Sequence, residues 1–365
     1  MYVVSLFNGM NCGYIALDRL GIKPTRYYSS EIDQHAIKIA NKNYPDTIQL
    51  GDVKNWRDWD IEWKFVDLVL GGFPCQSWSV AGKQTGDRDS RGQLFWVMLD
   101  IMKHVMECNP NAKYLMENVR MSNAFEKYIT HHTEKALPNV NKYLINSSLV
   151  SAQNRKRFYW TNIVLDEPQP KDRGIVLKDI LEGGLTDRTK SHCLDANYFK
   201  GGNLKSYFEK HRRQLVFSDD KMCHVGDADL KGHDYVRRVY APEGKSPSLC
   251  ASSGGNLEPK VLVKGARMVG RRLDSTGTRK DHDKSIPIKQ MIEVRDDDKT
   301  NCLTTVTKDS ILVENMSWRK LTPLECERLQ TVPDGYTEGV SNTQRYKMLG
   351  NGWTVDVIVH ILKGL

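Results

Sequence analysis

One cysteine of the eight in this 365-residue chain stands where a sulfur nucleophile would be useful. Cys75 follows the apolar run Val66-Asp67-Leu68-Val69-Leu70 and the linker Gly71-Gly72-Phe73-Pro74. A thiol at the carboxyl end of a strand, in a loop stiffened by proline and flanked by glycines, is placed for chemistry more than for packing, although position alone also allows an inert buried thiol. The other seven, Cys12, Cys108, Cys193, Cys223, Cys250, Cys302 and Cys326, form no C-x-x-C pair. Neither a disulfide framework nor a metal site is therefore indicated. The next strand-like run ends in Glu117-Asn118-Val119, which puts a carboxyl group in the neighbouring slot of a sheet. Further on, Gln153-Asn154-Arg155-Lys156-Arg157-Phe158-Tyr159-Trp160 alternates, so that Gln153, Arg155 and Arg157 are expected on one strand face. A thiol, an acid and two guanidinium groups converging on one rim would supply a nucleophile, a proton donor and a positive potential that favours thiolate.

A second constellation precedes the first. Ser5-Leu6-Phe7-Asn8-Gly9-Met10-Asn11-Cys12-Gly13 closes one strand and opens a helix, with small residues that let backbone approach a ligand. The second strand ends at Glu31, a carboxylate suited to both hydroxyls of a ribose, with Ile32 beside it to lie on a base. The third ends at Gly51-Asp52-Val53, where Asp52 would accept a proton from an exocyclic amine. A turn and two acids on successive strand ends describe a nucleoside-binding crevice. A nicotinamide dehydrogenase would share that layout, but the glycines do not follow G-x-G-x-x-G and no pyrophosphate loop is visible.

Strands and helices must place these groups. Strands are predicted at residues 2–7, 26–30, 47–50, 66–70, 113–116 and 143–147, alternating with helical patterns, which gives an α/β class with a parallel sheet. Leu94, Met98, Met102 and Met106 recur every fourth residue, beside Phe95, Leu99 and Val105, and predict a helix face packed on that sheet. Around Glu167-Pro168-Gln169-Pro170 the alternation stops. Residues 1–168 are read as the first part of a catalytic and cofactor-binding domain, 169–316 as a smaller β-rich insertion, and 317–365 as a segment returning to the first domain. Within the insertion Lys190-Ser191-His192-Cys193-Leu194, Lys245-Ser246-Pro247-Ser248-Leu249 and Lys299-Thr300-Asn301-Cys302-Leu303 share an order, their leucines 55 and 54 residues apart. This faint repeat predicts a repeated β unit. Its basic pairs, Arg237-Arg238 and Arg271-Arg272, are natural phosphate or guanine contacts. Thr322-Pro323-Leu324-Glu325 is a helix start with its cap, proline and reciprocal glutamate in place.

A hydrophobic share of 39% against 27% charged residues suits a folded domain pair. No run approaches a membrane span and no basic leader precedes the first strand, so a cytoplasmic protein is expected. The formal charge of +8 permits an anionic partner without demanding one.

Taken together, Pro74-Cys75-Gln76, Glu117-Asn118-Val119 and Gln153-x-Arg155-x-Arg157 resemble, in type, order and approximate spacing, the catalytic motifs of the DNA (cytosine-5) methyltransferases of bacteria and phages. Arg91-Gly92-Gln93-Leu94-Phe95, residues 321–330 and Gly350-Asn351-Gly352-Trp353 resemble three more, so the likeness spans nearly all of the catalytic portion. It implies a Rossmann-like S-adenosylmethionine-dependent sheet with an inserted target-recognition domain. It also implies methylation of a flipped-out cytosine in duplex DNA. Cys75 would attack carbon 6, Glu117 would serve ring nitrogen 3, and Arg155 and Arg157 would hold the carbonyl oxygen. The cofactor site would draw on Phe7, Asn8, Gly9, Met10, Asn11 and Cys12 of the first loop and on Glu31, Ile32, Asp52 and Val53 of the next two. Gly72, Pro74, Leu94, Asn351, Gly352 and Trp353 would complete it. Gln76, Ser77, Ser79 and Gln153 join the basic pairs as candidate DNA contacts.

Two stretches depart from the family pattern: Met10-Asn11-Cys12 replaces the usual paired glycines, and Gly352-Trp353 replaces a small polar residue and valine. The same motifs occur in a relative that methylates tRNA, but the long insertion favours DNA. A catalytically dead DNA-binding homologue would lack the nucleophile or the acid, and both are present. A monomer, with a possible companion restriction endonuclease, completes the expectation.

Overall fold

The computed structural model describes residues 1–74, 92–200, 207, 212–217, 224–227, 238–240, 260–261, 264–272, 280, 282–283, 285–294, 311–313 and 318–365. The chain divides into two compact units, one of Met1–Glu182, Thr186–Leu215 and Lys320–Leu365, the other of Gly183–Leu185 and Val216–Arg319.

A seven-stranded sheet carries the first unit. Apolar runs make its middle strands, β1 (Tyr2–Leu6), β4 (Val66–Gly71) and β5 (Lys113–Val119), which are buried along almost their whole length, as strands covered on both faces must be. With β2 (Arg26–Ser30), β3 (Thr47–Gln49), β6 (Asn141–Asn146) and β7 (Lys156–Thr161) the order is β3-β2-β1-β4-β5-β7-β6. The first five pair in parallel, but β7 runs antiparallel to both β5 and β6. The expected parallel sheet is therefore mixed at one edge. Residues 147–155 joining β6 to β7 are too few for the crossover of about a dozen residues that a parallel pair needs. The reversal puts the start of β7 beside the end of β5, with Arg157 opposite Val119 and Tyr159 opposite Glu117.

Helices α1 (Cys12–Arg19), α2 (Gln34–Asn43), α3 (Leu94–Cys108) and α4 (Asn123–Ala136) follow β1, β2, β4 and β5 in the chain. The four-residue spacing in α3 buries Met98, Met102 and Met106 with Phe95, Leu99, Ile101 and Val105, while Leu94 stays half-buried. Each fully buried side chain of this kind contributes about 1.5–3 kcal/mol. Helix α5 (Leu177–Ile180) lies mid-chain, and α6 (Pro323–Leu329), α7 (Asn342–Asn351) and α8 (Val355–Leu362) lie near the end of the chain. The capping box of α6 is formed: Thr322 Oγ1 accepts from Glu325 N at 3.2 Å, and Glu325 Oε2 accepts from Thr322 N at 2.8 Å. Helix α8 packs against α1, where Asp356 pairs with Arg19 and Arg173.

The second compact unit does not coincide with residues 169–316. Residues 169–182 and 186–215 belong to the first unit, where Leu177, Leu194, Tyr198 and Tyr207 are fully buried. Ser191 pairs there with Gln153 as an isolated bridge. The second unit contains a sheet of Lys264–Arg271 between Lys289–Val294 and Ile311–Val313, and another of Arg238–Tyr240 between Lys260–Val261 and His224–Asp227. The second and third copies of the proposed repeat, 245–249 and 299–303, lie outside the described residues. Among those described, no helix is long and apolar enough to cross a membrane.

Candidate active site

A cavity of about 330 Å³ opens at the carboxyl edge of the parallel strands in the first unit. The strand order arranges its walls: Asp52 after β3, Glu31 after β2, Phe7 to Gly9 after β1, Gly72 to Pro74 after β4, Glu117 in β5 and Arg157 in β7.

At the first end the backbone does most of the shaping. Phe7, Gly9 and Asn11 all adopt positive φ, at 52°, 59° and 67°. For the two non-glycine residues this costs about 1–2 kcal/mol each, and a buried amide network holds the turn. Asn8 Nδ2 donates to Ser29 Oγ at 2.8 Å and to Asn11 Oδ1, and Asn11 Nδ2 donates to Thr47 Oγ1 at 3.0 Å. At Gly9 a Cβ would meet nothing within 4 Å. Its N–H donates to Glu31 Oε2 at 2.7 Å, and Glu31 Oε1 accepts from Ile32 N at 2.8 Å and Asp33 N at 2.9 Å. Three amides thus fix that carboxylate. Ile32 is 68% exposed, an apolar plate lining the cavity. Asp52 caps the short turn Val53–Asp58, accepting from Lys54 N at 3.0 Å.

Fourteen of the sixteen expected cofactor residues line the cavity: Phe7, Asn8, Gly9, Cys12, Glu31, Ile32, Asp52, Val53, Gly72, Pro74, Leu94, Asn351, Gly352 and Trp353. Met10 and Asn11 do not. The start of α1 turns both inward, leaving Met10 1% and Asn11 0% exposed, and the Met10 carbonyl accepts from Tyr336 Oη at 2.7 Å. Other lining residues escaped the sequence reading, among them Asp33, Lys54, Phe73, Asn118 and Met348. Asp33 had a usable signal as the side-chain N-cap of α2, accepting from His35 N at 3.0 Å. Burial pushes its carboxyl up, but the Lys347 ammonium and backbone amides outweigh this and hold it below the usual range.

At the other end side chains meet side chains. Arg157 Nε lies 3.1 Å from Glu117 Oε1, with both side chains nearly buried. The approach is out of line for a hydrogen bond, so this buried Nε has no hydrogen-bond partner and the contact is an ion pair. Arg157 Nη1 donates to the Lys156 carbonyl at 2.9 Å, and Nη2 reaches Cys193 Sγ at 3.6 Å. Burial alone would lower the guanidinium pKa; Cys193 and Glu117 reverse that and raise it. Glu117 Oε2 accepts from Trp353 Nε1 at 3.0 Å. Asn118 Nδ2 donates to the Phe73 carbonyl at 3.0 Å, tying the end of β5 to the segment that leads to Cys75.

Arg155 lines the cavity with its guanidinium held by the protein, and Gln153 does not line it. Arg155, 4% exposed, donates to the carbonyls of Leu194 at 2.9 Å, Gly350 at 3.2 Å and Gly352 at 2.9 Å, and to Cys193 Sγ at 3.4 Å. It therefore ties three chain segments together and has little left for a substrate oxygen. Gln153 is fully buried, its amide donating to the Leu329 carbonyl at 2.8 Å and to Gln330 Oε1 at 2.9 Å. It is no surface contact for DNA. Cys193, which the sequence singled out only as part of a repeat, sits between the two arginines. Burial raises its thiol pKa, but Arg155 and Arg157 overcome this and hold it below the ordinary 9.0.

Cys75, Gln76, Ser77, Ser79 and Arg237 lie outside the described residues. Of the other basic candidates, Arg238 begins the strand Arg238–Tyr240, Arg271 ends the strand Lys264–Arg271, and Arg272 donates to the Ile286 carbonyl.

Solved structures show the same fold over the whole chain. The DNMT2 of Spodoptera frugiperda gives a TM-score of 0.52 at 17% identity, covering 100% of this chain and 99% of that one. A putative DNA modification methyltransferase of an Escherichia coli prophage gives 0.51 at 18%, covering 100% and 98%. In sequence, the orphan methyltransferase M.SPBetaI of Bacillus phage SPbeta is 27% identical, with 100% of this chain and 97% of that protein covered. The type II methyltransferase M.HpaII of Haemophilus parainfluenzae is also 27% identical, with 97% and 86% covered. The family model for C-5 cytosine-specific DNA methylases matches residues 1–365. The chain belongs to the C-5 cytosine-specific DNA methylase family and is a DNA cytosine-5 methyltransferase.

Proposed function

We propose that this enzyme methylates carbon 5 of a cytosine flipped out of duplex DNA, using S-adenosylmethionine and a transient covalent bond from Cys75. The observation that carries the reading is the Glu117–Arg157 pair, 3.1 Å apart, in one cavity with the Glu31–Ile32 nucleoside cradle. The residues present fit the cofactor. Glu31 is oriented by three amides toward a ribose, Ile32 offers a plate for a base, and Asp52 would meet an exocyclic amine. When bound, S-adenosylmethionine supplies a methyl group on a sulfonium centre.

Carbon 5 of cytosine is a weak nucleophile, so addition of the Cys75 thiolate to carbon 6 comes first, and the ring's electron pair moves toward nitrogen 3. Glu117 meets that charge with a proton or hydrogen bond, while Arg157 supplies positive potential and a donor for the ring carbonyl. Carbon 5 then takes the methyl group. Loss of its proton to a base restores the double bond and expels Cys75. Arg155 acts at one remove, by holding the segments around residues 194 and 350–352. Because the reacting atoms are hidden in a duplex, the base must leave the stack. Gln76, Ser77, Ser79, Arg237, Arg238 and Arg271 are proposed DNA contacts, and residues 169–316 are proposed to contain the target-recognition element. Competition between duplex oligonucleotides and tRNA for labelled methyl groups tests the substrate: the duplex should be labelled, and labelling of tRNA alone would overturn the proposal.

A further inference from the structure

We infer that Trp353 is a positioning residue for Glu117, linking the cofactor loop to the acid that meets the base. The inference rests on the proposed role of Glu117. A glutamate near the end of a strand has free torsions, yet here each carboxylate oxygen has its own partner. Oε1 faces Arg157 at 3.1 Å, and Oε2 accepts from the Trp353 indole at 3.0 Å. Neither partner comes from β5. Gly72 makes the second contact possible, because a Cβ there would stand 2.9 Å from Glu117 Oε2 and 3.0 Å from Trp353 Nε1. The strand-end backbone leaves a gap about one methyl group wide, and the acid–indole pair fills it.

Trp353 also reaches the cofactor side. It lines the cavity together with Cys12, and its ring lies 3.8 Å from where a Cβ on Gly13 would be. The chemistry of the donor then distinguishes the two oxygens. An indole N–H donates and never accepts, so Oε2 must remain an acceptor while the contact lasts. The indole N–H makes Oε2 the weaker base, so once Arg157 turns away the proton that Glu117 shares with a ring nitrogen is assigned to Oε1, the oxygen now beside Arg157. For that to happen Arg157 must turn to another acceptor, and the carbonyl oxygen of the pyrimidine is one. Trp353 thus fixes which oxygen works, and Arg157 is the partner that is exchanged.

Trp353→Phe keeps an aromatic ring and removes only the N–H. In the full-length enzyme it should lower kcat about 10- to 100-fold, the loss of one hydrogen bond to a charged group. Cofactor affinity by calorimetry should change less than kcat, since the aromatic ring that lines the cavity is retained. An independent readout is the Trp353 indole N–H resonance, assigned by its disappearance in Trp353→Phe. It should shift in Glu117→Gln and not in Glu31→Gln. A resonance indifferent to Glu117→Gln would overturn the inference, as would a Trp353→Phe enzyme whose whole defect lies in cofactor affinity with kcat preserved. If Trp353→Phe proves unfolded by thermal melting, the resonance test with Glu117→Gln still decides. Full turnover in Glu117→Gln would instead sink the underlying role of Glu117, and the resonance would report the hydrogen bond all the same.

Discussion

The two ends of the cavity are built by different means. The cofactor end draws on residues 7–54, three successive strand ends whose loops bond to one another through backbone amides, as Glu31 does with Gly9, Ile32 and Asp33. The base end gathers Gly72, Glu117, Arg155, Arg157, Cys193 and Gly350 to Trp353, from stretches far apart in the chain, and joins them largely through side chains. A site held by backbone loses only what the altered side chain contributed. A site held by long-range side chains transmits damage from one member to the next.

That contrast sets the expected ranking of variants. Glu117→Gln should cost most in rate, about 10²- to 10⁴-fold in kcat as for loss of a general acid, with cofactor affinity retained, as single-turnover methyl transfer and calorimetry would show. Arg155→Met should act on the fold instead. The buried carbonyls of Leu194 and Gly350 lose their arginine donor at about 1–3 kcal/mol each, while Gly352 keeps Gln330 Nε2 at 3.2 Å, so the melting temperature should fall, whereas Arg157→Met should lower kcat with little change in melting. Equal melting losses in the two would erase the distinction drawn between them. Glu31→Gln should raise KM for the cofactor about tenfold, the cost of weakened charged hydrogen bonds, and reduce kcat less.

Cys193→Ser should have the smallest effect, about a threefold fall in kcat from a poorer acceptor for Arg157, together with a pH signature. The folded thiol titrates below its ordinary 9.0. Its thiolate therefore adds stability that is fully present above that value and is lost as pH falls through the depressed one. Chemical denaturation should show wild type gaining on Cys193→Ser at alkaline pH and matching it in mild acid.

Legibility in the sequence follows the same contrast. That Glu31, Ile32 and Asp52 stand together on one cavity is readable because strand period and strand ends are local properties, and so is the Thr322–Glu325 cap. Strand alternation alone puts Gln153 on the rim beside Arg155, but β7 starts only at Lys156. Gln153 instead makes a single bridge to Ser191 and turns inward. Trp353 meets Glu117 across 236 positions, and Cys193 meets Arg155 across 38. No local pattern encodes such meetings. The division into units is less legible for a related reason: residues 186–215 are polar in sequence, yet Leu194, Tyr198 and Tyr207 are buried in the first unit.

The most direct test of covalent catalysis traps the enzyme on duplex DNA in which the target cytosine is 5-fluorocytosine, with S-adenosylmethionine present. Fluorine cannot leave as a proton does, so the adduct should persist, and peptide mass spectrometry should place it on Cys75. Absence of an adduct in an enzyme that turns over ordinary DNA, attachment at another residue such as Cys193, or normal turnover by Cys75→Ala would contradict the mechanism.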